Sequence, residues 1–239
     1  MDNIDYNPLY FFDKPIREKP LIRSESDPEI KKGDALQIQK PKLKVVLFEK
    51  YRPKNFNEIV GQEKPINTIK RNLDNLPHMI LEGNAGVGKT TVVKVLCKEL
   101  DANLLELNSS NERGIDIIRG KVMDFIRHLS LNNGLKIVFF DEADSMTPDA
   151  QFSLRTIIEK YSHSTRFIFA CNDISKIIEP LKSRCKVFHF DNIKPEDMKK
   201  RLLEIINLEN ITINDNDLNK IIEDSNGDFR KAINDLQTI

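Results

Sequence analysis

The 239-residue sequence has little of what marks a secreted or membrane protein. It has three cysteines, no tryptophan and no net charge, because 37 basic side chains balance 37 acidic ones. Cys97, Cys171 and Cys185 are far apart and form no CxxC pair, which argues against a disulfide framework or a zinc ribbon. No apolar run approaches the ~18 residues that cross a bilayer, and residues 1–10 lack the hydrophobic segment of a secretion signal. We therefore expect an intracellular protein of the nucleus or cytoplasm that is not secreted and has no membrane partner.

The composition is that of a folded protein, with 39% hydrophobic and 31% charged residues. This balance predicts one or two domains, each large enough to bury a core. Because the net charge is zero, a globally basic nucleic-acid binder is excluded, and any DNA-binding face must come from local charge.

The first 42 residues differ from the rest, since they hold five of the eleven prolines and no sustained periodicity. We predict a disordered or loosely packed extension over residues 1–42. Four consecutive large apolar residues within it, 9–12, either pack on the chain's own body or dock in a partner's groove.

From about residue 43, short apolar runs rich in β-branched and aromatic residues alternate with amphipathic helical patterns. Such runs are typical of strands buried on both faces of a parallel sheet with crossover helices. After Phe190 the strand pattern stops, and three helical patterns follow, the first opened by Pro195. We predict an α/β domain over 43–192 and a small all-helical domain over 193–239. The five strand patterns cover residues 78–82, 103–107, 136–140, 166–171 and 186–190.

The most specific motif is residues 83–90, GNAGVGKT, which fits G-x-x-x-x-G-K-[ST] and stands between a strand pattern and a helix pattern. Glycines let the backbone curl so that successive N–H groups point at phosphate oxygens, and the helix N-terminus adds its positive dipole end. We expect Lys89 to reach the β- and γ-phosphates and the Thr90 hydroxyl to bind Mg²⁺. The predicted nucleotide-binding residues here are Gly83, Asn84, Ala85, Gly86, Val87, Gly88, Lys89, Thr90 and Thr91.

An acidic motif, residues 141–144 (Asp-Glu-Ala-Asp), follows the strand pattern at 136–140. We expect Asp141 to hold Mg²⁺, directly or through water, and Glu142 to polarise the water that attacks the γ-phosphate. The same four letters occur in helicases, but those need two nucleotide-binding lobes, and this sequence has one phosphate loop.

Through these and further motifs, the chain resembles the AAA+ clamp loaders, and within them the replication factor C small subunits. The resemblance runs from about residue 49 to residue 237. Besides the phosphate loop and the acidic motif, it rests on residues 49–53 (EKYRP), 59–62 (IVGQ), 107–115 (LNSSNERGI), 183–185 (SRC) and 227–234 (GDFRKAIN).

The resemblance implies a P-loop AAA+ domain of the α/β class, with a five-stranded parallel sheet, followed by a small all-helical lid domain. It implies an ATPase that uses ATP and Mg²⁺ to open a sliding clamp and load it on primer–template DNA during replication. The implied partners are other clamp-loader subunits in a pentamer-like arc, the clamp, and the DNA backbone. Hydrolysis is expected only when neighbouring subunits are assembled.

The resemblance also assigns roles outside the two motifs. Asn172 matches the family's first sensor, whose amide holds the attacking water or a γ-phosphate oxygen. Arg230 matches the second sensor, on the lid, whose guanidinium would reach the γ-phosphate and report ATP by closing the lid. The residues that would lie beside the adenine are Tyr51, Arg52, Pro53, Val60 and Gly61.

Arg184, in the Ser-Arg-Cys motif, matches an arginine finger that points into the next subunit's ATP site and stabilises transition-state charge. The alternative interpretation is an arginine at a helix end that pairs with a local acid. Arg113, Arg119 and Lys121 are candidates for sequence-independent contacts to the DNA backbone, or else belong to a solvated face.

The sequence departs from the family in the phosphate loop, where Asn84 and Ala85 replace a common Pro-Pro, and at Asn111, where the family often has Asp. The resembling subunits continue into a third helical domain, a collar. This sequence ends at Ile239, so we expect either a fragment or a subunit that assembles without its own collar.

Rival interpretations are another DNA-associated AAA+ ATPase, such as a junction motor or a replication initiator, and an accessory structural subunit. Junction motors usually carry a further C-terminal DNA-binding domain. A structural subunit would typically lack Lys89, Glu142 or Arg184, and all three are present.

Overall fold

The computed structural model describes residues 45–111, 114–128 and 134–239. The predictions for residues 1–42, with the apolar segment 9–12, and for Arg113 lie outside the described residues. The helices and strands, in chain order, are α1 (Leu47–Lys50), α2 (Glu63–Arg71), β1 (Met79–Gly83), α3 (Lys89–Glu99), β2 (Asn103–Asn108), α4 (Ile115–Arg127), β3 (Lys136–Asp141), α5 (Pro148–Tyr161), β4 (Thr165–Cys171), α6 (Glu179–Lys182), β5 (Lys186–Phe190), α7 (Pro195–Glu209), α8 (Asp215–Ser225) and α9 (Phe229–Gln237).

The five strands form one parallel sheet in the order β2-β3-β4-β1-β5. This confirms the predicted α/β fold with a five-stranded parallel sheet, and each strand begins and ends within one residue of its apolar pattern. Because all strands run the same way, β1, β3 and β4 end at one edge of the sheet. Those ends lead into the phosphate loop, the acidic motif and Asn172, respectively, so the topology gathers the three at one edge.

Both faces of the sheet are covered, as the continuous apolar runs predicted. Met79 and Leu81 of β1 pack in a cluster with α2 and α3, whereas Ile80 packs in the opposite cluster with α4 and α5. The Phe140 and Phe169 rings stack across β3 and β4 with their centroids 5.0 Å apart. Burial on both faces makes the sheet a rigid base for the loops at its edge.

The helices α7, α8 and α9 form a lid with a core of its own, which confirms the predicted all-helical lid. Pro195 occupies the first turn of α7, and the Asp228 side chain caps α9 by accepting the Lys231 N–H at 3.0 Å. Leu47 of α1, assigned above to the nucleotide-binding domain, packs in the lid core, and its N–H donates to Gln237 Oε1 at 2.9 Å. The core of the lid therefore includes α1, which precedes the sheet in the chain.

Within the described part of the chain, no helix has the length and apolar content needed to cross a membrane.

Candidate nucleotide-binding site

A cleft between the lid and the carboxyl edge of the sheet brings together most of the residues predicted from the sequence. Its walls come from the phosphate loop and α3, the ends of β3 and β4, the segment around α1, and α9 of the lid. The predicted site residues that line it are Tyr51, Arg52, Pro53, Val60, Ala85, Gly86, Val87, Gly88, Lys89, Thr90, Thr91, Asp141, Glu142, Asn172 and Arg230.

The phosphate loop curls because two of its glycines adopt left-handed backbone conformations. Gly86 has φ of 72° and Gly88 has φ of 103°, which a residue with a Cβ rarely adopts. At Gly86 a Cβ would also lie 1.7 Å from Asp228 Oδ1, so the loop touches the cap of α9 directly. Since α3 begins at Lys89, the N–H groups of the loop lie next to those of a helix N-terminus. Together they form a site suited to an anion.

Lys89 is a buried cation whose partners are all uncharged oxygens. Its side chain is buried, and its Nζ donates to Gly83 O at 2.5 Å, Asn84 O at 2.7 Å and Asn172 Oδ1 at 3.0 Å. Burial lowers the pKa of this amine from its usual value, and the nearby Asp141 carboxylate partly opposes the shift. A buried ammonium held by carbonyls alone suits an anionic ligand in the cleft, which would supply the missing charge.

Thr90 and Asp141 form a pair of hard oxygen ligands at the base of the cleft. Thr90 Oγ1, in the first turn of α3, donates to Oδ2 of Asp141, the last residue of β3, at 3.0 Å. Among the described residues no group of three His, Cys, Asp or Glu side chains could form a metal cage. One carboxylate and one hydroxyl fit Mg²⁺, which keeps most of its waters and takes the remaining ligands from nucleotide phosphates.

Glu142 is exposed and stands on a strained backbone, with φ of 54° in the left-handed region. Its N–H donates to Asp141 Oδ1 at 3.1 Å, and its carboxylate accepts a hydrogen bond from the Ser110 hydroxyl at the end of β2. Strain of this kind costs about 1–3 kcal/mol and is concentrated at functional sites. Glu142 lines the cleft together with Asp141.

Asn172 and Arg230 face the cleft from opposite sides. Asn172 follows β4, accepts from Lys89, and donates its backbone N–H to Asp144 Oδ2 at 3.4 Å. The Arg230 guanidinium lies on α9, 5.9 Å from the centroid of the Phe48 ring. The cleft therefore holds a polar amide on the sheet side and a cation on the lid side.

The segment before α2 forms the remaining wall. The Tyr51 hydroxyl donates to Glu209, at the end of α7, which raises the pKa of the phenol. Arg52 forms an ion pair with Glu49. Gly61 itself does not line the cleft, but a Cβ there would lie 3.3 Å from Ile193 Cγ2, a residue that does.

Four predicted site residues lie outside the cleft wall: Gly61, as described above, and Gly83, Asn84 and Arg184. Gly83 and Asn84 contribute through their carbonyls, which accept from Lys89. Arg184 lies away from the cleft, and its guanidinium donates to the Glu159 carboxylate and, at 2.8 Å, to Pro180 O. Its side chain keeps 27% exposure. The local pairing that the sequence left as an alternative is thus present in this chain.

Sequence reasoning missed several contributors to the site. Gln62 is buried, and its Nε2 donates to Val87 O at 3.3 Å and to Asp191 O at 2.7 Å, so it ties the phosphate loop to the segment after β5. The apolar part of the wall comes from residues that read as ordinary core: Phe48, Ile59, Ile193, Phe229 and Ile233. Gln62 carried a signal, as a polar residue inside an apolar motif. Ile59, Phe229 and Ile233 lie in the motifs 59–62 and 227–234, whereas Phe48 and Ile193 lie in no motif.

The two described candidates for contact with DNA lie elsewhere. Arg119 and Lys121 are exposed on α4, away from the cleft. Cys185 is half-buried against the core, and burial raises the pKa of its thiol to about 12, so almost no thiolate is present at neutral pH.

Comparison with known protein families gives two adjacent matches. The model described as ATPase family associated with various cellular activities (AAA) matches residues 79–192. The model described as RCF1/5-like, AAA+ ATPase lid domain matches residues 200–239. The two matches fall on the sheet domain and the lid, respectively.

Curated relatives are replication factor C subunits. The chain is 46% identical over 200 residues to the replication factor C small subunit of Archaeoglobus fulgidus, covering 80% of this chain and 63% of that protein. It is 46% identical over 205 residues to replication factor C subunit 4 of Saccharomyces cerevisiae, covering 82% and 64%. The chain therefore spans less than two thirds of the length of these relatives.

Among solved structures, the chain is similar to RuvB, the Holliday junction branch migration motor of Thermotoga maritima. The TM-score is 0.65 at 22% identity, covering 77% of this chain and 63% of that one. At this identity the likeness extends to the fold alone.

Proposed function

The chain belongs to the AAA+ ATPases, within the family of the replication factor C small subunits, and from this we propose that it is an ATPase subunit of a DNA clamp loader. It binds ATP in the cleft between sheet and lid and hydrolyses it in company with neighbouring subunits. The observation that carries the proposal is the convergence of Lys89, the Thr90–Asp141 pair, Asn172 and Arg230 on one cleft.

ATP binding follows from the contacts of the phosphate loop. Backbone N–H groups of the loop and of the first turn of α3 donate to the phosphate oxygens. The Lys89 ammonium leaves its neutral carbonyl partners and donates to the charged phosphates. Tyr51, Arg52, Val60 and the apolar wall surround the base. Arg230 approaches the γ-phosphate from the lid, so that only the triphosphate draws the lid onto the sheet.

Hydrolysis needs a base and a positioned water. Glu142 accepts the proton of the attacking water, after its carboxylate leaves the Ser110 hydroxyl, and Asn172 orients the water or a γ-phosphate oxygen. Thr90 and Asp141 would hold Mg²⁺, which when bound neutralises charge on the β- and γ-phosphate oxygens.

Arg184 acts on a different cleft from the one in its own chain. It lies outside that cleft, and its side chain is held by Glu159 but remains 27% exposed. We expect it to leave Glu159 and reach the γ-phosphate bound by an adjoining subunit, where a guanidinium accelerates phosphoryl transfer ~10³-fold or more. Hydrolysis therefore depends on assembly.

The wider role is to open a sliding clamp and place it on primer–template DNA, in an arc of related subunits. Backbone contacts from Arg119 and Lys121 would be independent of base sequence and weakened by salt. A subunit with this role works where DNA is copied, in the nucleus or in the cytoplasm of a cell without one.

The test is ATP hydrolysis by the chain mixed with candidate partner subunits, a sliding clamp and primed DNA. We expect clamp and DNA to stimulate turnover in at least one mixture. Absence of stimulation in every mixture would contradict the clamp-loader role.

Three variants separate the steps. Lys89→Ala should lose ATP binding, whereas Glu142→Gln should bind ATP and lose turnover. Arg184→Ala should leave ATP affinity of the isolated chain unchanged and lower turnover only in assemblies. Arg155→Ala is the matched control, since Arg155 also pairs with Glu159, at 3.5 Å, and has no proposed role. An ATP-binding defect of Arg184→Ala in the isolated chain would refute its assignment.

A further inference from the structure

A chain of side-chain amides runs from the phosphate loop to the lid. Asn84 Nδ2 donates to Asn192 Oδ1 at 2.8 Å, and Asn192 Nδ2 donates to Asn226 O at 3.2 Å. Asn84 belongs to the phosphate loop, Asn192 follows β5, and Asn226 ends α8. The side chain of Asn192 therefore accepts a hydrogen bond from the phosphate loop and donates one to the lid.

Close backbone packing holds the same three segments together. Gly227 has φ of 85°, and a Cβ there would lie 2.7 Å from Asn192 Cβ, so the turn between α8 and α9 rests directly on Asn192. On the other side of the turn, Asp228 touches Gly86 of the phosphate loop. Gln62 adds a buried tie between the loop and the residue before Asn192.

This arrangement fixes the start of the helix that carries Arg230. Arg230 lies two residues after Asp228, in the first turn of α9, and lines the cleft. A shift of the turn at residues 226–228 relative to the loop would carry the guanidinium with it. The position of Arg230 above the phosphates thus depends on contacts that are outside the main cleft.

We propose that Asn84 and Asn192 are positioning residues that couple the phosphate loop to the lid and so set the reach of Arg230 toward the γ-phosphate. The inference rests on the proposed function, since it concerns discrimination of ATP from ADP by the same cleft. Neither side chain is expected to contact the nucleotide, and both act through the placement of α9.

The test measures the affinities of the full chain for a non-hydrolysable ATP analogue and for ADP. The variants are Asn84→Ala, Asn192→Ala and the double variant. Loss of one hydrogen bond corresponds to about a two- to tenfold change, which should appear as a lower ratio of analogue to ADP affinity in each variant, with ADP affinity nearly unchanged in Asn192→Ala, which leaves the phosphate loop itself unaltered. Because both asparagines act through the same chain of bonds, the double variant should lose no more than Asn192→Ala alone.

A lid amide outside the relay provides the matched control. Asn219 Oδ1 accepts from Lys199 Nζ at 2.9 Å on the lid surface, and Asn219→Ala should leave the affinity ratio unchanged. Hydrogen exchange gives a second readout: backbone amides of residues 226–231 should exchange faster in Asn84→Ala, although residue 84 lies on the loop.

The outcomes separate this inference from the proposed function. If the unmodified chain binds neither nucleotide, the proposed function fails. If it binds both, and the single variants keep both its affinity ratio and its exchange rates at 226–231, the relay is refuted while the nucleotide site stands. Additive losses in the double variant would likewise contradict a shared chain of bonds.

Discussion

Gly86→Ala should destabilise this protein through a contact between the phosphate loop and the lid. Alanine at residue 86 would have to adopt a left-handed backbone conformation, with φ of 72°, which costs an L-residue about 1–2 kcal/mol. It would also lie 1.7 Å from Asp228 Oδ1, so this carboxylate must move. Moving it breaks the cap of α9, the bond from the Lys231 N–H, at a cost of about 1 kcal/mol.

The expected loss is therefore about 2–3 kcal/mol in the free energy of unfolding. Urea unfolding followed by far-UV circular dichroism measures it, because the sequence contains no tryptophan to serve as a fluorescent probe. Gly120→Ala is the control: residue 120 lies within α4, and nothing stands within 4 Å of its added Cβ. That change should stabilise the protein by about 0.5–1 kcal/mol.

A double-mutant cycle tests the mechanism. Asp228→Ala alone should cost about 1 kcal/mol through the lost cap, and it also removes the atom that clashes. The double variant should therefore lose about 1 kcal/mol less than the sum of the single changes. A Gly86→Ala variant as stable as the original chain, or strictly additive losses, would refute the proposed contact between loop and lid.

Three further predictions concern the sheet and its helices. Burial, and secondarily the charge of Arg166, lowers the pKa of His78 to about 4. The free energy of unfolding should therefore be at its full value above pH 6.5 and fall by about 2 kcal/mol toward pH 4, after allowance for partial exposure. In His78→Asn the urea concentration at the unfolding midpoint should depend less on pH over this range. Leu154→Ala, at a fully buried position of α5, should cost about 2–5 kcal/mol in urea unfolding, and a loss below 1 kcal/mol would contradict its place in the core. Thr147→Ala removes the cap of α5, whose oxygen accepts from the Ala150 N–H at 3.3 Å, and should cost about 1 kcal/mol, which Thr147→Ser should largely restore.

Much of the fold could be predicted because its elements depend on local pattern. The strands showed as continuous apolar runs, since helices cover both faces of the sheet, and Thr147, Pro148 and Pro195 mark helix starts through their own backbone chemistry. The order of the strands left no such trace. It depends on which apolar faces pack together, and Ile80 and Leu81 are equally apolar although they face opposite clusters.

The site residues could be predicted where the chemistry requires a particular residue type. They could not be predicted where many residue types could make the same packing contact or hydrogen bond. Lys89, Thr90 and Asp141 occur in a recognisable order, and the structure brings them to one cleft. Contacts such as those of Asn192 join residues distant in the chain whose types alone signal nothing. The pairing of Arg184 with Glu159 is of the same kind, because 25 residues separate its partners and a surface ion pair needs no motif.

The hydrogen bond between Thr90 and Asp141 joins positions 51 residues apart. Between them the chain passes through α3, β2, α4 and β3, so the pair exists only where β3 has joined the sheet beside the start of α3. A ligand that needs both therefore selects finished molecules, and at a hundred times its dissociation constant it would stabilise them by about 2.7 kcal/mol. If that ligand is the proposed nucleotide, its concentration should change the resistance of the chain to proteolysis.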